Sequence, residues 1–537
     1  MKRKKIVVFI LSFILSLCTL IGISFSKYSS LKLIYDKFLL TILLFTIILF
    51  IIYKILFYLY TRLDCISSME NNNRKKSNKF LERFDRKPIL FSFILILLGW
   101  SIYIIAFYPG IMTFDPSFQI LQYFGIDNKY SYYSVLLDKN MIITNHHPVI
   151  HTLLLGTCVK IGLFFHSVNL GIFLYSILQI SVLAFTLSYT IFYMKKINIK
   201  LKYRLLCLGI YMFIPVFPFY AMTPLKDVLF CCFIIIYIIK IAEYIDRDQY
   251  ESFSMIILFL LIILFRNNGF HILLFSIPFL LLLKSKNRIK LVFHFLFIIV
   301  FYISYHHAIL PYFKVTPSSP REALSVPFQQ TARYVLEHEK EVTEKEKGEI
   351  DNILGYDTLK YRYDPEKADD VKNKFNPHST KKDMKKYFKV WYEQFKKHPL
   401  TYLEATLNNT YGYYYPLTSD WYIYTKYNKV LKEHQFSYHY NNLGMLRFVL
   451  IIFGVLFPFL PIIGLFVNIG FSTWILLFMI FYLIYKKKYK NILPYLPSIL
   501  VFMVCLVSPV NTYFRYMLPN IFAMPVMLAI FFHSIKK

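Results

Sequence analysis

Between two long apolar runs lies a polar stretch that opens on Tyr108-Pro109-Gly110, passes Thr113, Asp115 and Gln119, and closes on Asn145-His146-His147-Pro148. A carboxylate and two imidazoles beside such runs are poor packing material and good material for proton transfer or metal ligation. Asp115 has two readings. With Pro116 behind it, it suits a helix cap. Nearly alone in a weakly charged loop, it suits a general base on a hydroxyl, and that reading is preferred. His146 and His147 are adjacent, so they do not form a two-ligand helical metal site. They suit substrate positioning, a divalent cation shared between Asp115 and His147, or a plain interfacial loop.

Three further groups interrupt apolar sequence. Lys226-Asp227 follows Thr223-Pro224 and reads either as a helix start with an acid in its first turn or as a second catalytic acid beside a phosphate-contacting lysine. Arg266-Asn267-Asn268-Gly269 and the Arg515-Tyr516 pair place guanidinium groups in apolar surroundings, where charge is costly and tends to be functional; a snorkelling arginine is the alternative for Arg266. Arg321, Gln329, Gln330 and Arg333 add a polar group in the one long hydrophilic region. Arginine forks suit phosphate, and amides suit sugar hydroxyls. Asp115 and Asp227 are thus the candidate catalytic residues. Lys226, Arg266, Asn267, Asn268, Arg321, Gln329, Gln330, Arg333, Arg515, Tyr516, His146 and His147 are the candidate substrate contacts.

The elements that must position these residues are apolar helices. The chain has 537 residues, 57% hydrophobic, with mean hydropathy +0.47, and its repeated apolar runs near 20 residues do not occur in soluble domains. An all-α polytopic membrane protein is expected, with about 11–13 spans. The first run, after Lys2 to Lys5, lacks a small-residue cleavage site and is read as a retained helix. The net charge of +30 does not imply nucleic-acid binding: residues 311–445 hold 21 Lys+Arg and 18 Asp+Glu, so the excess lies in short loops and tails such as Arg74-Lys75-Lys76, Lys195-Lys196 and Lys486-Lys487-Lys488. Short basic loops are the signature of cytoplasmic ends. This places the N-terminus in the cytoplasm of a multi-pass cell-membrane protein, and Asp115, Lys226 and Arg266 on the far side. Residues 148–166 then lie along the interface rather than cross. Residues 446–466, broken by Pro458 and Pro461, leave the crossing count unbalanced. Four parts follow: 1–88, two spans and a basic loop; 89–310, a helical module with outer loop 109–168; 311–445, one mainly helical extracytoplasmic domain; and 446–537, a C-terminal membrane segment. The seven cysteines show no metal-ligand spacing. P-loop, dinucleotide, HExxH and nucleophile-elbow motifs are absent.

This arrangement resembles the GT-C superfamily of integral-membrane glycosyltransferases, in a Gram-positive bacterial branch. The resemblance rests on Asp115 in the first outer loop, the helix expected at 148–166, Asp227 before a later span, the Arg266 to Gly269 turn, and Arg515 to Pro519. It implies a GT-C-like helix bundle at 89–310 that moves a sugar from a polyprenyl-phosphate donor to a cell-surface glycan, teichoic acid or protein, with inversion. Asp115 would be the base; Arg266, Arg515, Arg333 and Lys226 would face the phosphate. Tyr411, Tyr413, Tyr414 and Trp421 are candidate sugar platforms or interface anchors. The chain lacks the adjacent acidic pair commonest in that superfamily, so a divalent cation stays open. A lipid-linked sugar flippase or transporter and a surface-glycan polymerase or ligase are the alternatives; scarce acids in the spans weigh against transport.

Overall fold

The computed structural model describes residues 2–68, 79–128, 143–418, 422–424, 430–508 and 510–537, and Trp421 lies outside them. Every named element among these residues is helical, and β-pairing is limited to isolated bridges. Helices of ten residues or more are numbered: α1 Lys2–Tyr28, α2 Phe38–Ser68, α3 Pro88–Ala106, α4 Phe114–Tyr123, α5 Val149–Phe164, α6 Val168–Lys196, α7 Leu201–Phe213, α8 Lys226–Arg247, α9 Ser252–Phe265, α10 Gly269–Leu281, α11 Arg288–Ser304, α12 Ser325–His338, α13 Glu344–Leu354, α14 Lys381–Lys397, α15 Pro399–Asn408, α16 Gly444–Leu456, α17 Ile469–Tyr485, α18 Leu496–Cys505 and α19 Leu518–Lys536.

Seven helices are long and apolar enough to cross a membrane, and six more apolar helices have 10–17 residues. This is fewer full-length helices than the 11–13 spans expected, because several runs are cut. The run at 205–222 breaks at Pro215: Ile214 takes an extended ψ of 121° before it, and a short helix resumes at Val216. Helix α2 leaves Leu39, Phe50, Ile55 and Tyr58 at least 53% exposed. An apolar face of that extent is the face a lipid-embedded helix presents.

The bundle has two chemically different ends. At one, basic loops are stitched by scarce acids. Asp64 takes Lys4 (3.0 Å) and Lys486 (2.6 Å), Glu243 takes Lys196 (2.7 Å), Asp85 takes Arg204 (2.7 Å), and Asp246 takes His533 (3.0 Å) and Lys537 (3.1 Å). Residues near both ends of the chain therefore share this basic end. The other end carries Asp115, Lys226, Arg266 and Arg515. The segment 444–468 begins and finishes there. Arg447 donates to the Ala106 carbonyl (3.0 Å), and Asn468 to that of Thr418 (3.0 Å). Helix α16 stops at Leu456, ahead of Pro458 and Pro461. With this segment turned back, three traverses (α17, residues 489–505, α19) bring the chain to the basic end, and the count balances.

Helices α5 and α6 form a hairpin at backbone contact. A Cβ on Gly162 would sit 2.2 Å from the Gly171 nitrogen. A Cβ on Gly156 would sit 2.0 Å from the Tyr123 ring, so α4 is seated on α5 by the same device. Residues 324–390 have their own core, with Phe328, Ala332 and Val335 of α12 against Ile350, Ile353 and Leu354 of α13 and Tyr387 and Val390 of α14. Capping boxes Thr343/Glu346 and Thr380/Asp383 start α13 and α14. Tyr413, Tyr422, Leu431 and Tyr438 pack instead into the bundle core. The end domain is tied down at several places: Glu404 accepts from the Leu31 amide (2.7 Å), the Asn511 amide donates to the Glu366 carbonyl (2.8 Å), and the Asn145 amide donates to the Thr316 carbonyl (2.8 Å).

Candidate functional site

Asp115 reaches the site through a pinned loop. After α3 the chain passes a cis Tyr108-Pro109 bond; Ser176 of α6 donates to the Pro109 carbonyl (2.9 Å), and the Ile111 amide to the Met222 carbonyl (2.7 Å). Helix α4 then starts with Thr113 at the N-cap position, so Asp115 is not the cap but the acid of the first turn. Gln179 of α6 sets the next turn. Its Nε2 donates to the carbonyls of Tyr220 (3.1 Å), Ala221 (3.0 Å) and Thr223 (2.7 Å), and its Oε1 accepts from the Leu225 amide (3.2 Å). That places Lys226 and Asp227 at the start of α8. Gln179 also contacts the Tyr175 hydroxyl, which meets His151 (2.6 Å), and His151 meets Gln119 of α4 (3.1 Å). One buried polar chain thus fixes α4, α5, α6 and the α8 start relative to each other.

The charged groups alternate. Arg515 Nη1 meets Asp115 Oδ2 at 2.7 Å, and its Nε lies 3.9 Å from Asp227 Oδ2. Arg266 Nη1 meets Asp227 Oδ1 at 2.5 Å. Tyr516 lies against both guanidinium groups, 5.0 Å from Arg266 and 5.4 Å from Arg515, and Tyr513 is 4.6 Å from Arg515. Asp227 is fully buried, and its Oδ2 makes no hydrogen bond. Lys226 Nζ donates to His147 Nδ1 (2.7 Å). Lys226, Arg266 and Arg515 therefore face Asp115 and Asp227, with one positive charge in excess.

Burial alone would raise the Asp115 carboxyl, but the charges of Arg515 and Lys226 outweigh it and hold the group well below the usual carboxylate range. Burial and Lys226 push His147 far down. It is neutral, with Nδ1 accepting from Lys226 and the proton on Nε2. Burial pushes His146 down to about 4.

The end domain completes one wall. Glu322 lies 3.7 Å from His146, 2.7 Å from Lys372 and 3.2 Å from Arg321. Burial opposes its ionisation, yet Lys372 and His146 bring it down to about 2. Of the candidates read from sequence, Asp115, His146, His147, Lys226, Asp227, Arg266, Arg321, Arg515 and Tyr516 come together. Asn267 is adjacent and structural, donating to the Asn145 carbonyl (2.9 Å). Asn268 is exposed at the start of α10. Gln329 donates to the Asp364 carbonyl, and Gln330 to Thr406 (2.9 Å), both within the region 311–445. Arg333 binds Glu404, Glu337 (2.9 Å) and the Ser29 carbonyl (2.9 Å), so it clamps the end domain to α1 rather than joining the cluster. Tyr411 and Tyr413 are buried packing residues, with hydroxyls on Glu366 and on the Val510 carbonyl (2.7 Å). Tyr414 is half-buried, and its carbonyl accepts from Trp474 (2.8 Å). Glu322 and Lys372 were missed. Lys372 sits in a stretch as charged as its surroundings; Arg321-Glu322 behind Pro320 was the only signal.

A divalent cation between Asp115 and His147 would have to use Asp115 Oδ1 and His147 Nε2. The other ligand atoms, Asp115 Oδ2 and His147 Nδ1, already face the cationic nitrogens of Arg515 and Lys226.

The fold and site define an all-helical protein with membrane-length helices and a buried, net-cationic cluster at one end of the bundle. The chain belongs to the family described as "Family of unknown function (DUF6020)", which matches residues 2–537. No curated protein and no solved structure matches it.

Proposed function

We propose that the protein is a membrane glycosyltransferase whose site, on the extracytoplasmic side, moves a sugar from a polyprenyl-phosphate donor to a cell-surface acceptor with inversion. The observation that carries this reading is the Asp115–Arg515–Asp227–Arg266 chain with Lys226: carboxylates and phosphate-binding cations interleaved where an apolar bundle meets a polar domain. In the free protein Arg515 quenches the Asp115 carboxylate. A donor phosphate competes for Arg515, and the freed carboxylate regains basicity. Asp115 then takes the acceptor hydroxyl proton while that oxygen bonds to the anomeric carbon. The bond from that carbon to the phosphate oxygen breaks, and the phosphate leaves with the electron pair, its charge met by Arg515, Arg266 and Lys226. The GT-C resemblance of the sequence supports the same reading.

The bundle beneath the site argues against transport. From Val228 to Ile235, and again from Tyr237 to Ile239, α8 is buried and essentially apolar, so the helix that carries Asp227 lines no polar path for a sugar. The test is transfer from a labelled polyprenyl-phosphate sugar by membranes holding Asp115→Asn. Loss of at least about 100-fold is expected for a general base. Undiminished transfer would remove Asp115 from the mechanism.

A further inference from the structure

The end domain holds a second group of ligating side chains, apart from the Asp115 cluster and unused by the chemistry above. His338 ends α12, Glu341 lies in the turn that follows, and His398 joins α14 to α15. The two imidazoles stack with centroids 3.6 Å apart and planes 9° from parallel. Both present a nitrogen to the same carboxylate: His398 Nε2 is 2.8 Å from Glu341 Oε2, and His338 Nδ1 is 3.5 Å from Glu341 Oε1.

Proton counting shows what this arrangement lacks. Thr401 has one hydroxyl proton and donates it to Glu337 Oε2 (3.0 Å). Its oxygen can only accept from His338 Nε2, which lies 3.0 Å away, so that nitrogen carries the ring proton. In the neutral ring, His338 Nδ1 is then a lone pair facing a carboxylate oxygen. Two lone pairs at that separation repel unless a proton on Nδ1 or a cation sits between them. The Thr401 contact is also the outer hydrogen bond that fixes the tautomer of a ligating histidine.

We propose that His338, Glu341 and His398 bind a divalent transition-metal ion, with zinc as the best match. Two imidazoles and one carboxylate are a zinc donor set that leaves a fourth position open, and Glu341, half exposed, leaves that position to solvent. The ligand atoms lie within 4.8 Å of one another. Around a tetrahedral zinc they stand about 3.4 Å apart, so binding needs the stacked rings to swing until both nitrogens face one point beside the carboxylate. The ion would staple the end of α12 to the α14–α15 junction, the corner of the end domain next to the Arg333–Glu404 clamp on α1.

The test uses the full chain in detergent, stripped with a chelator and titrated with Zn2+ alone against a chromophoric competitor. One zinc per chain is expected, with a rise in unfolding temperature, and Co2+ should give visible absorption of a four-coordinate site. Glu341→Gln, a surface change that spares the core, should weaken zinc at least about 10-fold, and His338→Asn with His398→Asn should abolish it. His147→Asn should leave zinc binding unchanged. Should the double variant misfold, Glu341→Gln carries the test alone. No saturable uptake, uptake of equal affinity in Glu341→Gln, or uptake lost in His147→Asn would each overturn the assignment. None of these readouts depends on glycosyl transfer, so they stand or fall apart from that reading.

Discussion

Arg515 is the residue on which the site balances. It pairs with Asp115 and approaches Asp227, and both carboxylates lose this partner if it is removed. Arg515→Ala is expected to cost about 3–5 kcal/mol, the usual penalty for an uncompensated buried charge, read as thermal unfolding in detergent. Arg515→Lys should keep most of the stability but lose the two-armed contact, and with it donor binding. His146 gives the pH behaviour. Its folded value of about 4 lies below the ordinary 6.5, so the unfolded chain binds the extra proton first. Its contribution is complete above about pH 6.5 and disappears as pH falls toward 4. Unfolding temperature should therefore drop over that window, and His146→Gln should flatten the drop. These residues were legible in sequence to the extent that their surroundings were bland. A lone charge in an apolar run, such as Arg266 or Arg515, stands out. Lys372 and Glu322, in a domain dense with charge, do not, and for the same reason Arg333 drew attention there although it serves as a clamp.

The helices explain why the site holds its shape. The α5–α6 hairpin has no room for a side chain between Gly162 and Gly171, and the atom a Cβ would strike is backbone. Gly162→Val should therefore cost more than about 4 kcal/mol and abolish the monodisperse peak on size-exclusion chromatography. Gln179→Leu tests the next layer. It strips the donor from three carbonyls ahead of Lys226, and it should lower transfer more than it lowers unfolding temperature, because the α8 start loses its register toward Arg515. Element types were readable from the apolar runs, and Pro458 and Pro461 marked a real break, whereas the run at 205–222 reads as one span and is cut at Pro215. Whether a broken run turns back was not readable. It depends on where Arg447 and Asn468 find acceptors, in segments distant in sequence.

For the whole molecule, sidedness is the central proposal. With the basic end in the cytoplasm, a cysteine replacing exposed Lys382 should react with an impermeant maleimide in intact cells, and one replacing Lys487 only after lysis, both in a Cys65→Ser background. The reverse pattern would invert the molecule and end the donor reading. Asp115 and Arg515 lie 400 positions apart, and Lys4 and Asp64 wait for Lys486. Early-made helices thus leave the ribosome with Asp115 short of Arg515 and Asp246 short of His533 and Lys537, and residues made later supply the missing partners at both ends. Chains released before Arg515 should remain open to quality-control proteases, and a separately expressed C-terminal fragment that inserts beside them should rescue them.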